Sequence, residues 1–303
     1  MKKIIITGSE GFIGKHLVAY FSSLDFKVYG CDILEPSANV GYTYFKISIS
    51  SPQWDEIFSA VQFDYCINAS GSGNVSFSVT DPLADFQLNT LDTFRILDAI
   101  RKYSGECRYL HISSAAVYGN PEFLPVTETV ECKPLSPYGW HKLMAEEVCK
   151  EFHSLYGLQL AIVRPFSVYG PGLRKQLFWD VFQKHKANKS QVMMWGTGKE
   201  SRDFIHIDDL VHSFHLILEN GDMKVGIYNV ASGLETSIEE VLQLFFKLHD
   251  DNCEVQFNQQ NRLEDPLNWK ADISKIRNLD FDPSISLHIG MQQLVQWMKS
   301  LRD

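Results

Sequence analysis

The chain has 303 residues, with 28 basic against 37 acidic side chains and a formal net charge of −9 at pH 7. That length exceeds a single small core, so one large domain or two moderate ones is expected. The acidic balance excludes a general nucleic-acid surface, which needs clustered lysine and arginine, and no apolar run is long enough for a transmembrane helix.

The opening Met1-Lys-Lys-Ile-Ile-Ile-Thr7 has three consecutive isoleucines and then stops. That is too short for the apolar core of a signal peptide, so the expected location is cytoplasmic. Residues 3–7 read as a buried strand. Ile13, Leu17, Val18 and Phe21 repeat at helical spacing over 12–22, and 27–32 reads as a second strand ending in an acid. Apolar runs at 44–47, 65–69, 108–113 and 160–164 continue the theme, with helical patterns at about 82–102 and 138–156 between them. Strand alternating with helix implies a parallel sheet covered on both faces. After Pro165, Gly170-Pro-Gly172 and Gly196-Thr-Gly198 mark loops. A helix at about 206–219, a strand at 226–230, and helices at about 237–248 and 286–301 follow. The pattern predicts an N-terminal nucleotide-binding domain and a smaller C-terminal domain, with the chain crossing between them more than once. The six cysteines form no C-x-x-C pair and are expected to be buried free thiols.

Gly8, Gly11 and Gly14 form a G-x-x-G-x-x-G turn directly between the first strand and the first helix. A helix N-terminus carries unpaired N–H groups and partial positive charge, which suit a pyrophosphate, and glycines let it approach the backbone. Asp32, at the end of the next strand, can hold the ribose hydroxyls and would repel a 2′-phosphate. No basic residue follows it closely, so NAD is the expected cofactor.

Tyr138 and Lys142 lie four apart and share a helix face, and Ser114 precedes the tyrosine by 24 residues. A free tyrosine titrates near 10, so a phenolate base needs its pKa lowered by about 3 units, roughly 4 kcal/mol. A nearby ammonium and an oxidised nicotinamide ring both favour that state. The phenolate then takes a hydroxyl proton while hydride leaves the same carbon, with Ser114 bonded to the same oxygen.

With these residues in view, the chain resembles the extended short-chain dehydrogenase/reductases, in particular the NAD-dependent nucleotide-sugar epimerase/dehydratase family that includes UDP-glucose 4-epimerase-like enzymes. The resemblance spans nearly all 303 residues. Its carriers are Thr7-Gly-Ser-Glu-Gly-Phe-Ile-Gly14, His111-Ile-Ser-Ser-Ala-Ala-Val-Tyr-Gly119, Tyr138-Gly-Trp-His-Lys142, Arg164-Pro-Phe-Ser-Val-Tyr-Gly-Pro-Gly172 and Arg202-Asp-Phe-Ile-His-Ile-Asp-Asp209. It implies an α/β fold: a Rossmann doubly wound parallel sheet with a smaller C-terminal α/β substrate domain. Residues 1–165 with about 204–220 would hold NAD, and 166–203 with 221–303 would hold a nucleoside-diphosphate sugar. It implies Ser114, Tyr138 and Lys142 as the catalytic trio, with Tyr138 and Lys142 also touching the cofactor. Further cofactor contacts are implied at Phe12, Ile13, Ser48, Ala69, Ser70, Gly71 and Pro165.

Family dehydratases place an Asp-Glu pair directly after the catalytic Ser/Thr, where this chain has Ala115 and Ala116. Alanine neither gives nor takes a proton, so 4,6-dehydration is not expected. The expected activity is a NAD-dependent 4-epimerase working through a transient 4-keto-sugar. The alternative is an NAD(P)-dependent nucleotide 4-keto-6-deoxysugar reductase or 4-dehydrogenase. The rival class is a NAD-binding sensor without turnover, against which the intact trio argues.

For the diphosphate, the resemblance implies Arg202 and Arg262, with Asp265 toward the nucleotide ribose. Ser167 stands where the family commonly has an asparagine, which implies a shorter contact there. The loop Asn68–Ser76 departs from the family's usual pattern and lies at a strand C-terminus, where α/β sheets bind ligands, so Ser72 and Asn74 are substrate candidates. His206, His212 and His215 lack an organised acid or cysteine set, and no metal is expected. Surplus apolar residues on the helices at 82–102 and 138–156 fit a homodimer built on a four-helix bundle, as is usual in this family.

Overall fold

The computed structural model describes residues 1–36, 41–260 and 265–301. In chain order the strands and helices are β1 (Lys2–Thr7), α1 (Phe12–Ser22), β2 (Phe26–Asp32), β3 (Thr43–Lys46), α2 (Trp54–Ala60), β4 (Tyr65–Asn68), α3 (Val75–Thr80), α4 (Pro82–Phe86), α5 (Asp92–Tyr103), β5 (Arg108–Ile112), α6 (Pro137–Tyr156), β6 (Leu160–Pro165), β7 (Ser167–Tyr169), α7 (Gln176–Ala187), β8 (Gln191–Met194), β9 (Ser201–His206), α8 (Ile207–Asn220), β10 (Lys224–Val230), β11 (Glu235–Ser237), α9 (Ile238–His249), β12 (Glu254–Phe257), α10 (Ser274–Arg277) and α11 (Leu287–Ser300).

Seven strands form one parallel sheet in the order β10-β6-β5-β4-β1-β2-β3. This is the doubly wound Rossmann arrangement, and its strand order reverses between β1 and β4. Ligands of such sheets bind in the crevice at the carboxyl ends of the strands beside that switch point. Four residues of β1, all of β4 and all of β6 are buried. This is why these strands read as continuous apolar runs rather than alternating ones. One face packs Leu17 and Phe21 of α1 with Leu210, Phe214 and Ile217 of α8. The other packs Ile57 and Phe58 of α2, Ile96 and Ile100 of α5, and Phe152 of α6. A third cluster, built from α7, α9 and α11, lies in the C-terminal part.

Three features differ from the pattern read in the sequence. β10, within the stretch 221–303 expected to bind the sugar nucleotide, hydrogen-bonds to β6 as an edge strand of the large sheet. The helix expected over 82–102 carries a π-turn at Gln87–Leu91 between α4 and α5. Helices α3 and α7 and the short strand pairings β7 with β9, β9 with β11, and β8 with β12 are additional to the elements read above, although Phe178, Val181 and Phe182 give α7 a helical apolar spacing. All six cysteines are free thiols, five of them buried. Among the described residues no helix is long and apolar enough to cross a membrane.

A buried ion pair joins the elements around the site. Arg164 on β6 donates from Nε to Glu146 Oε1 at 2.9 Å and from Nη2 to Oε2 at 2.6 Å, both residues being fully enclosed. Ser113 Oγ donates to the same carboxylate at 2.5 Å. Removing one member of such a pair strands a charge in low dielectric. Arg164→Ala should therefore lower unfolding free energy by about 3–5 kcal/mol in urea titration. Arg164→Met combined with Glu146→Met should lose less. A cost below about 1 kcal/mol for Arg164→Ala would contradict this account.

Candidate active site

A cavity of about 650 Å³ opens along the carboxyl ends of the sheet strands. One wall is the glycine-rich turn. Gly8 has φ +66°, and a Cβ there would stand 2.6 Å from Ala69 O. A Cβ on Gly14 would fall 2.0 Å from Gly8 O, so the turn and α1 can approach this closely only with hydrogen in that place. Helix α1 starts at Gly11 with no side-chain cap, which leaves its first N–H groups facing a cavity that Gly11, Phe12 and Ile13 line. This donor set fits the pyrophosphate of a dinucleotide. Asp32 is buried behind the turn, accepting from Glu10 N at 2.9 Å and from the N–H groups of Ile33 and Leu34. Those bonds tie the end of β2 to the turn.

The opposite side carries Ser114, Tyr138 and Lys142. Ser136 caps α6 by accepting from Gly139 N, and Pro137 occupies the first turn. Tyr138 and Lys142 thus project from one face at the start of a long helix. Gly139 lets α6 press against the 3₁₀ turn Ala115–Tyr118, since a Cβ there would meet Ala116 O at 2.7 Å. That turn is capped by Ser114, whose Oγ accepts from Ala116 N at 3.1 Å. Ser114, Tyr138 and Lys142 all line the cavity, as do Ala69, Ser70, Gly71 and Pro165.

Burial pushes the Tyr138 phenol up to about 12; the Ser114 hydroxyl beside it pulls down, and the Asp85 charge pushes up. Burial likewise pushes the Lys142 ammonium from 10.5 down to about 8, with Asp85 and Glu146 opposing and Lys175 reinforcing. The expected lowering of the phenol by the lysine is therefore not present in the chain alone. Lys142 Nζ stands 6.0 Å from the Tyr138 ring centroid and donates to Ile112 O at 2.9 Å.

The remaining sequence candidates divide. Ser167, Arg202 and Asp265 line the cavity. Arg202 pairs with neither Asp203 nor Asp208; it donates to Ser201 O and Leu267 O and lies over the Trp269 ring. Ser72 and Asn74 also line the cavity, but both serve local structure: Ser72 Oγ accepts from Asn74 N, and Asn74 caps α3 by accepting from Phe77 N. Ser48 is exposed, paired with Ser50, and outside the cavity lining. Arg262 lies outside the described residues. His206 accepts from Asp208 N, His215 bonds Tyr20, and His212 lies near the Tyr20 and Phe281 rings.

Sequence reasoning missed four groups. Lys175 and Phe178 line the cavity from the segment at 173–180, which the sequence marks as shaping the pocket without giving either residue a role, and Trp269 lines it from a stretch outside the helices and strands. Asp85, fully buried, pairs with His141 Nδ1 at 2.6 Å and accepts from Asn89 Nδ2, placing a carboxylate behind the trio. His141 sits inside the Tyr-x-x-x-Lys segment, and that was the available signal.

A family model described as the NAD dependent epimerase/dehydratase family matches residues 4–231. A relative from Methanocaldococcus jannaschii, a putative UDP-glucose 4-epimerase, is 30% identical over 310 residues, covering 98% of each chain. Among solved structures, MoeE5 in complex with UDP-glucuronic acid and NAD aligns with a TM-score of 0.90 at 25% identity, over 98% of this chain and 99% of that one. A UDP-glucose 4-epimerase from Thermotoga maritima, with UDP-glucose, gives 0.90 at 25% identity over 98% of both.

The buried lysine has a readable consequence in cofactor-free protein. Below pH 8 both folded and unfolded chains carry its proton, and the folded state bears the full cost of burying the charge. Between about 8 and 10.5 the unfolded state binds more protons, so stability rises with pH. Lys142→Met should stabilise the protein at pH 7 by up to about 3 kcal/mol, an advantage that shrinks as pH climbs through that window. A difference in unfolding free energy that is flat with pH would show that Lys142 is not held this way.

Proposed function

The chain belongs to the NAD dependent epimerase/dehydratase family, and on that premise we propose that it is a NAD-dependent nucleotide-sugar 4-epimerase acting on UDP-sugars through a transient 4-keto-sugar. The observation that carries this reading is the placement of Ser114, Tyr138 and Lys142 in one cavity with the open N-terminus of α1, while Ala115 and Ala116 stand beside the serine. Elimination needs an acid and a base next to the sugar. Epimerisation needs only the trio and a reversible hydride acceptor.

Each role follows from chemistry and position. The glycine-rich turn and α1 would hold the pyrophosphate, Asp32 the adenosine ribose, and Tyr138 and Lys142 the nicotinamide ribose. NAD, when bound, supplies a hydride acceptor beside the sugar carbon and a positive charge beside the phenol. Tyr138 accepts the C4 hydroxyl proton and later returns it. Ser114 donates to the same oxygen, holding the carbonyl in place while the ring presents its other face. Lys142 keeps a cation near the phenolate. Arg202, fixed by two backbone carbonyls and the Trp269 face, is placed to meet the diphosphate, with Ser167 and Asp265 nearby in the lining.

Division of the chain follows the sheet: the seven strands with α1 to α6 and α8 form the cofactor half, and the remaining elements form the sugar-nucleotide half. Leu83, Phe94, Trp140, Met144 and Leu155 are exposed on α4, α5 and α6. We assign this apolar surface to a homodimer's four-helix contact. The free thiols suit a reducing compartment, the cytoplasm.

Purified protein given UDP-sugars and no added cofactor should yield the C4 epimer, read by NMR. Tyr138→Phe should retain NAD and lose turnover by about 10²–10⁴-fold. Turnover that appears only when NAD(H) is supplied in each cycle would move the assignment to a reductase or dehydrogenase.

A further inference from the structure

The loop between β7 and α7 crosses the cavity. Its first part lies on α1: His16 Nε2 is 3.0 Å from Pro171 O, and a Cβ on Gly172 would stand 3.6 Å from the Phe12 ring. Its last part reaches the segment after β4, where a Cβ on Gly73 would stand 3.5 Å from Lys175 Nζ. One short segment therefore spans the two walls that flank the switch point, the start of α1 and the loop at the carboxyl end of β4. Its lysine lines the same cavity as Gly11, Phe12, Ile13 and Gly73.

The basic groups around this point have other partners. Lys15 pairs with Glu10, His16 with Asp208, and Lys184 with Asp180. Arg174 lies over Trp179, and Lys142 donates to Ile112 O. Among the described residues Lys175 takes part in no hydrogen bond or ion pair. A pyrophosphate brings two negative charges, whereas the glycine-rich turn and α1 offer neutral N–H groups and a partial dipole charge. The cradle is built from neutral N–H groups, and the Lys175 ammonium lines the same cavity from beside Gly73.

We propose that Lys175 binds the pyrophosphate of the cofactor, closing it into the cavity from the sugar-nucleotide half of the chain. The proposal rests on NAD being the cofactor. It adds a contact from outside the glycine-rich turn that keeps NAD resident, as an epimerase requires. Because Lys175 directly precedes α7, a helix that lines the cavity with Leu177 and Phe178, cofactor retention is linked to the element that borders the sugar.

The test measures binding rather than turnover. Wild-type, Lys175→Met, Lys175→Gln and Lys175→Arg proteins are stripped of cofactor and titrated with NAD, with ADP-ribose, which carries the pyrophosphate without nicotinamide, and with UDP. The NAD retained through purification is quantified in parallel. Loss of a charged hydrogen bond should weaken NAD and ADP-ribose alike by about 10-fold or more in the Met and Gln variants, with Arg within about 3-fold of wild type. Thermal melting of the stripped proteins checks folding, and the Gln variant stands in if Met melts early. Unchanged NAD and ADP-ribose affinities would overturn the proposal, whether UDP binding falls, which would make the sugar nucleotide the target of Lys175, or holds. Failure of the wild-type protein to bind NAD at all would instead overturn the cofactor assignment on which the proposal rests.

Discussion

The bidentate pair between Glu146 and Arg164 is the constraint on which the arrangement of the site depends. Glu146 is one turn beyond Lys142 on α6, and Arg164 is near the end of β6. Their contact fixes α6 against the sheet. Through Ser113 the same carboxylate fixes the residue before Ser114, so the serine and the tyrosine are positioned from one anchor. Arg164 also donates to Tyr118 OH and Glu128 O, and Tyr118 in turn donates to Asn229 on β10. Asn229 reaches Val126 O. The network ties the 3₁₀ turn, the catalytic helix and the edge of the sheet together. A charged pair buried so deeply is costly unless every polar atom is used, and here the guanidinium and carboxylate are met from several elements.

The catalytic electrostatics follow from that enclosure. Burial alone holds Tyr138 protonated and makes Lys142 easier to deprotonate, the opposite of what proton abstraction at neutral pH needs. In the proposed reaction the positive charge that favours the phenolate arrives with the oxidised cofactor, at the moment when abstraction is useful. Asp85, buried beside His141, adds a fixed negative charge that keeps Lys142 closer to its ammonium form.

Much of this was legible in the sequence because it is carried by local rules. The core strands are apolar runs, and the glycine spacing reflects close approach of backbone to backbone. Ser114, Tyr138 and Lys142 form a motif whose chemistry is stated by residue type. What the sequence concealed depends on contacts between distant positions. Glu146 and Arg164 are 18 residues apart on different elements, and neither advertises the other. Helix α3 is rich in serine and β-branched residues and reads as a loop, although Asn74 is a helix-capping signal at its start. Of the strands paired outside the main sheet, β7, β8, β11 and β12 have only three or four residues, too short for any periodicity. Lys175 follows a Gly-Pro-Gly loop and looks like an ordinary surface lysine until the fold brings Gly73 beneath it.

The central claim is that the sugar is oxidised and reduced at the same carbon by a cofactor that stays bound. The most direct measurement uses a UDP-sugar carrying deuterium at C4, incubated with the protein in ordinary water without added cofactor. The account predicts that the C4 epimer keeps its deuterium, with none released to solvent. Loss of the label to water, or its appearance in free NADH, would contradict it.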